Sequence, residues 1–321
     1  MPARVNVSPT PGGVFRMVGR ALAASLLLAL LNGCSALEAS RRDPLPSPHP
    51  GNPTAAASAT SPRPTVPPTG TTAPLSDPTP TPSPTATRPP TTYSVTGYSV
   101  EGRPLEVFSF GTGPRTLMMI AGIHGGYEWN TIALADDLIA VISARPELIP
   151  PDVTLHILRS LNPDGEARSQ SYDGRVNARR VDLNRNFPSH WQTSWPVDGC
   201  WSYTYVSPGT HPGSEPETQA LMEFLLAERI EALISYHSAA LGIFPGGQPP
   251  HAPSVQLAEA LAGASDYPYP PIDTGCQYTG QLIDWAADHD IAAVDIELSN
   301  HRDTDLWQNL QILEVFLNWR P

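Results

Sequence analysis

Four apolar runs of strand length, Thr116–Ile120, Val153–Leu158, Ala232–Tyr236 and Ile291–Leu298, are separated by segments whose apolar residues recur at helical spacing. That alternation restricts the chain more than any other feature. Strands that take turns with helices build an α/β fold, a mixed and mostly parallel twisted sheet with helices on both faces. Ligands of such sheets gather at the carboxyl ends of the strands. The first run ends there in Ala121-Gly-Ile-His-Gly-Gly-Tyr-Glu-Trp-Asn130, and Ile132, Leu134, Leu138, Ile139 and Ile142 then continue as a helix. His124 and Glu128 therefore sit on a strand-to-helix turn, where Gly125 and Gly126 allow a tight bend. An imidazole and a carboxylate in that place form half of a metal site.

The remaining elements follow the same logic. Tyr93–Val100 and Leu105–Phe110 flank Glu101-Gly-Arg-Pro104 and predict an opening hairpin. Asn162-Pro-Asp-Gly165 reads as a turn after the second run. Residues 166–212 are long, polar and irregular, as functional loops are. Ser214-Glu-Pro-Glu217 reads as a capping box, with Ser214 as N-cap and Glu217 three residues on. Further helices are expected near 255–264, 280–288 and 305–319.

The chain before residue 93 has another character. Arg4, Arg16 and Arg20 precede the apolar stretch Ala21–Leu31, which is short for a membrane span and reads as a signal peptide over residues 1–33. Leu31-Asn-Gly-Cys34 resembles a bacterial lipobox, with Asn32 unusual inside it; lipidation of Cys34 would give a stable anchor, and plain secretion is the alternative. From residue 34 to 92 the chain is a linker, nearly all Pro, Thr, Ser and Ala from Arg42 on, too poor in large apolar residues to fold. The 38 prolines concentrate here, so one domain, 93–321, holds the core. The expected location is extracytoplasmic, with membrane contact only through the lipid. A net charge of −12 and the lack of a basic cluster within the domain argue against nucleic acid as a partner. Cys200 and Cys276 either pair, as export would permit, or remain separate thiols.

His237 closes the third apolar run as His124 follows the first, and Glu297 interrupts the fourth. Two imidazoles and one carboxylate leave a coordination position of zinc open, which suits hydrolysis. A carboxylate at Glu297 could act as the general base. No Gly-x-Ser-x-Gly elbow and no His-Glu-x-x-His motif is present.

Asn162-Pro-Asp-Gly165, the block from Arg175 to Pro188 containing Val181-Asp-Leu-Asn-Arg-Asn-Phe187, Ser214-Glu-Pro-Glu217, Ser235-Tyr-His-Ser238 and Asp295-Ile-Glu-Leu298 resemble the zinc metallocarboxypeptidases. The resemblance is to the carboxypeptidase A-like family, with its bacterial murein-peptide-amidase branch, and it runs from about Thr116 onward. It implies one Zn²⁺ held by His124, Glu128 and His237, with Glu297 as catalytic carboxylate and Arg175 polarising the scissile carbonyl. It implies that Asn184 and Arg185 grip a terminal carboxylate. The family's first motif is His-x-x-Glu; here it is one residue longer, and the Gly pair could absorb the insertion. The tyrosine that covers bound substrate is replaced by Cys276, and Tyr278 two residues on could serve instead. The implied activity is hydrolysis of a C-terminal amide bond of a peptide substrate by a monomer. A murein stem peptide is the alternative substrate, and an inactive surface module binding peptide or glycan is the rival from another class.

Overall fold

The computed structural model describes residues 91–200, 205–239 and 242–321. The leader, the lipobox and nearly all of the Pro/Thr linker lie outside these residues. Seven strands form one sheet: β1 (Thr92–Tyr98), β2 (Pro104–Gly111), β3 (Arg115–Ile120), β4 (Val153–Leu158), β5 (Ala232–Ser238), β6 (Gly242–Pro245) and β7 (Ala292–Leu298). Their order is β1-β2-β4-β3-β5-β7-β6. β4, β3, β5 and β7 run parallel, and antiparallel strands close both edges. The four parallel strands are the four apolar runs, as expected of strands covered on both faces. β6 was not anticipated: four residues bounded by Gly and Pro carry too little pattern to read.

The described residues include six α-helices: α1 (Trp129–Ala144), α2 (Pro163–Arg168), α3 (Pro216–Ala227), α4 (Ala252–Ala262), α5 (Leu282–Asp288) and α6 (Leu306–Asn318). Strand alternation divides the core in two. Leu117 and Met119 of β3 join Leu138 of α1, Leu257 of α4 and Phe316 of α6 on one face. Met118 and Ile120 join Leu221 of α3 and Trp285 of α5 on the other. No helix among the described residues is long and apolar enough to cross a membrane.

Two local expectations are corrected. Asn162-Pro-Asp-Gly165 is the start of α2: the Asn162 side chain accepts from the Gly165 amide at 2.9 Å, and Pro163 occupies the first turn, where its missing N–H costs nothing. The capping box does not form. Glu215 is the N-cap of α3 and makes no side-chain cap bond. Ser214 donates to Glu215 instead, and Glu217 accepts from the Val100 amide and from Asn177. Both glutamates tie the long loop to the body, because the amide of Asn177 reaches each of them.

Candidate active site

On β5 and β7 the face shared with α3 and α5 turns polar toward the carboxyl ends. Leu233 and Ala293 are buried core residues there, and Ser235 and His237 of β5 and Asp295 and Glu297 of β7 follow on the same face. Parallel register sets His237 opposite Glu297 and Ser235 opposite Asp295. Sheet hydrogen bonding thus fixes four functional groups with no loop involved.

His124 reaches the same point from the end of β3. Gly125–Glu128 forms one turn of 3₁₀ helix, which carries Glu128 back beside His124. Only Gly125 of the pair uses a positive φ, +47°. Gly126 serves close approach, since a Cβ there would lie 2.2 Å from the carbonyl oxygen of Ser169. The additional residue relative to His-x-x-Glu is taken up in this turn. One ligand atom from each of His124, Glu128 and His237 falls within 4.8 Å of the other two, and all three residues are buried.

The environment fits a cation. Nδ1 of His124 lies 2.7 Å from Glu128 Oε1 and 3.3 Å from Nδ1 of His237. The other carboxylate oxygen, Oε2 of Glu128, is buried without a hydrogen bond. Both outer Nε2 atoms have partners: Asp182 Oδ1 at 3.2 Å for His124, and Ser235 Oγ at 3.0 Å and Asp295 Oδ1 at 3.3 Å for His237. Partners on Nε2 orient an imidazole so that Nδ1 faces the metal. Two imidazole nitrogens and a carboxylate suit zinc. Burial alone would raise the Glu128 carboxyl, but the two histidines outweigh it and hold it well below the usual range. Asp182 is likewise held low, against its burial, by Arg175 and His124.

The remaining side chains come from the long loop. Arg175 Nε donates to Asp182 Oδ2 at 3.0 Å, and Nη1 approaches Glu128 Oε1 at 3.4 Å. Asp182 caps the 3₁₀ turn Leu183–Arg185, accepting from the Asn184 amide at 3.0 Å. Oδ1 of Asn184 accepts from the Leu282 amide at 2.9 Å at the start of α5, and the residue lines the cavity described below. Arg185 is buried, and its guanidinium carbon lies 5.6 Å from the Trp195 ring and 5.7 Å from the Tyr278 ring. Burial lowers the pKa of Arg185. Nη1 of Arg185 donates to the Asn184 carbonyl, whereas its Nε is buried without a hydrogen bond. A disulfide joins Cys200 to Cys276 and so ties the segment bearing Trp195 to the one bearing Tyr278.

All eight candidate residues, His124, Glu128, Arg175, Asn184, Arg185, His237, Tyr278 and Glu297, line or closely border one cavity of about 420 Å³. Asp182, Ser235 and Asp295 were not singled out from sequence. All three lie inside the quoted motifs, and Asp295 precedes Glu297 by two, the spacing that puts two strand residues on one face.

Comparison with known proteins agrees with this geometry. The model of the zinc carboxypeptidase family (Peptidase_M14) matches residues 85–314. Murein peptide amidase A of Escherichia coli (strain K12) is 30% identical over 235 residues, covering 70% of this chain and 89% of that protein. The crystal structure of murein-tripeptide amidase from Escherichia coli O157 superposes with a TM-score of 0.55 at 27% identity, over 72% of this chain and 94% of that one. Bovine thrombin-activatable fibrinolysis inhibitor shares the fold, with a TM-score of 0.57 at 24% identity over 71% of this chain and 89% of that one. With a family match over most of its length and a His-Glu-His group that can hold one ion, the chain belongs to the zinc carboxypeptidases, hydrolases that act on peptide bonds.

Proposed function

We propose that residues 93–321 form a zinc metallocarboxypeptidase that cleaves the amide bond preceding a residue with a free α-carboxylate. One observation carries this reading. Arg185 presents a buried Nε without a hydrogen bond in the cavity that also holds Glu297 and the His124–Glu128–His237 group. An orphaned buried donor on a guanidinium calls for an anion, and a carboxylate matches its fork.

Roles follow from position. His124, Glu128 and His237 would hold the zinc, which when bound acts as a Lewis acid toward water and carbonyl oxygen. Glu297, beside His237 in register, takes a proton from the attacking water and returns it to the leaving amine. Arg175 is fixed by Asp182 and places positive charge where the oxyanion develops. Arg185 and Asn184 bind the substrate carboxylate, the Asn184 carboxamide being held through its Oδ1 by the Leu282 amide. Tyr278 and Trp195 wall the guanidinium and keep water from it.

A murein stem peptide is the second reading, favoured by the amidases among the relatives. Its diaminopimelate also offers a carboxylate to Arg185. An extracytoplasmic location, either through lipidated Cys34 or by secretion, is supported by the leader-like sequence and fits the Cys200–Cys276 disulfide.

The test incubates zinc-loaded protein and its Glu297→Gln variant with a mixed peptide library and, separately, with murein tripeptide. Release of free C-terminal residues by the native protein, lost in the variant, is the expected result. Undiminished release by the variant would remove Glu297 from its role; binding without release by either would favour the inactive module.

A further inference from the structure

Arg175 carries the charge meant for the oxyanion, yet its hydrogen bonds do not by themselves fix where its fork points. Nε donates to Asp182 Oδ2 at 3.0 Å, and Nη1 approaches, at the longer distance of 3.4 Å, Glu128, a carboxylate that the zinc would also claim. A guanidinium is planar and serves a carbonyl oxygen only when that plane is aimed at it. One firm bond at Nε anchors the group without setting the plane.

An aromatic ring supplies the missing restraint. Tyr127 immediately precedes Glu128 in the 3₁₀ turn, and the guanidinium carbon of Arg175 lies 5.9 Å from the centre of its ring, at the outer end of the range for a cation–π contact. The ring is itself gripped from two directions. Tyr172 meets it edge to face with centroids 5.7 Å apart, and His301 lies tilted against it at 5.0 Å. Tyr172 opens the 3₁₀ turn that leads into Arg175, whose amide donates to the Tyr172 carbonyl at 3.1 Å.

His301 is latched to the end of β5. The side-chain amide of buried Asn130 donates to the carbonyls of Asn300 at 2.7 Å and Asp303 at 3.0 Å, so its Oδ1 is the atom that accepts the Ser238 hydroxyl at 2.9 Å. With its one hydrogen spent there, Ser238 Oγ can only accept from His301, and Nδ1 of His301, 3.1 Å away, is the protonated nitrogen. This latch joins the turn of Glu128, the residue after His237 and the segment that follows Glu297. The lining of the catalytic cavity includes Arg175 but none of the three rings, so the rings act through Arg175 and not on substrate.

We propose that Tyr127 is a positioning residue for Arg175: its ring, held between Tyr172 and His301, keeps the guanidinium plane turned toward the scissile carbonyl. The proposal rests on the carboxypeptidase reading and deepens it. Binding of the substrate carboxylate belongs to Arg185 and is untouched by the ring, so the effect falls on turnover.

The experiment measures kcat, KM, zinc affinity and thermal midpoint for the zinc-loaded native protein, Tyr127→Leu and Tyr127→Phe, with peptides from the library above. Tyr127→Leu should lower kcat by about 10–100-fold, as a misaimed group does, with the other three quantities close to native. Tyr127→Phe keeps a ring over the guanidinium and should recover kcat to within about twofold of native. In an Arg175→Lys background the Leu substitution should cost no more than about twofold, because an ammonium is a point charge with no plane to hold. An unchanged kcat in Tyr127→Leu, a Phe variant as slow as the Leu variant, or an equal cost in both backgrounds overturns the proposal and leaves the carboxypeptidase reading standing. So does loss of zinc along with activity, which would make the ring a support of the metal turn. Should Tyr127→Leu fail to fold, His301→Ala decides: kcat falls at constant KM and zinc affinity if the latch holds the ring, and an unaltered kcat overturns the proposal. No release from any peptide by the native protein overturns both readings.

Discussion

The site has two halves held by different means. His237, Asp295 and Glu297 stand on β5 and β7, where backbone ladders and the alternation of a pleated strand position them. Arg175, Asp182, Asn184 and Arg185 stand on a loop without such a ladder, and asparagines do the work instead. Asn162 donates to the Arg175 carbonyl at 3.1 Å, Asn184 receives the Leu282 amide, and Asn186 donates to the Pro208 carbonyl at 2.8 Å while accepting from the Glu215 amide at 3.1 Å. The strand half should therefore tolerate a change in one side chain without moving its neighbours. The loop half is a network in which each member orients the next, so its energies are coupled.

Glu297→Gln tests the independence of the strand half and should give the largest effect. Loss of a general base lowers kcat by about 10²–10⁴, with zinc content and thermal midpoint unchanged. Loss of zinc along with activity would show that the strand half is no more independent than the loop.

Asp182→Ala tests coupling in the loop half. It removes the partner of both His124 and Arg175 and leaves the buried Arg175 with no carboxylate but Glu128 nearby. Zinc affinity should drop by about 10–100-fold, read by competition with a chelator. An affinity matching the native value would mean that His124 needs no orienting carboxylate.

Cys200→Ser with Cys276→Ser, or reduction of the native protein, removes the tie between the walls of Arg185. The disulfide closes a loop of 76 residues, and its loss should cost about 2–4 kcal/mol of stability. Binding should suffer more than chemistry: KM rises while kcat on bound substrate holds. A fall in kcat at constant KM would place the effect at the metal rather than at the carboxylate clamp.

The same division explains what the sequence disclosed. β3, β4, β5 and β7 are buried on both faces, and that burial demands apolar runs that can be seen without a structure. His124 and His237 were visible because each follows such a run. Nothing periodic marks Arg175 or Arg185; their places were legible only through the motif block, because a network of side-chain hydrogen bonds leaves no repeating pattern. Ser214 and Glu217 had the spacing of a capping box, yet loop residues distant in sequence claimed Glu217. Asp295 looked like part of a strand. Its place beside Nε2 of His237, 3.3 Å away, comes from the pairing of β5 with β7, which is not a property of local sequence.

The smallest predicted effect concerns a histidine that belongs to neither half. His156 on β4 is buried, with Nδ1 2.8 Å from Ser109 Oγ and its ring 5.2 Å from that of Phe224, edge to face. Burial pushes its pKa below the ordinary value, against the smaller opposing effect of the Glu228 charge. The folded protein therefore holds this ring neutral at pH values where the unfolded chain has begun to protonate it. Its contribution to stability is present above the unfolded pKa, about 6.5, and is lost as pH falls through the lower folded value. Comparing thermal midpoints of the native protein and His156→Gln between neutral and mildly acid pH isolates this ring, since the metal ligands titrate alike in both. The native protein should lose more stability on the acid side. Parallel curves would mean that the ring takes up its proton as readily in the fold as in the unfolded chain, and that this face of the sheet admits more water than its packing implies.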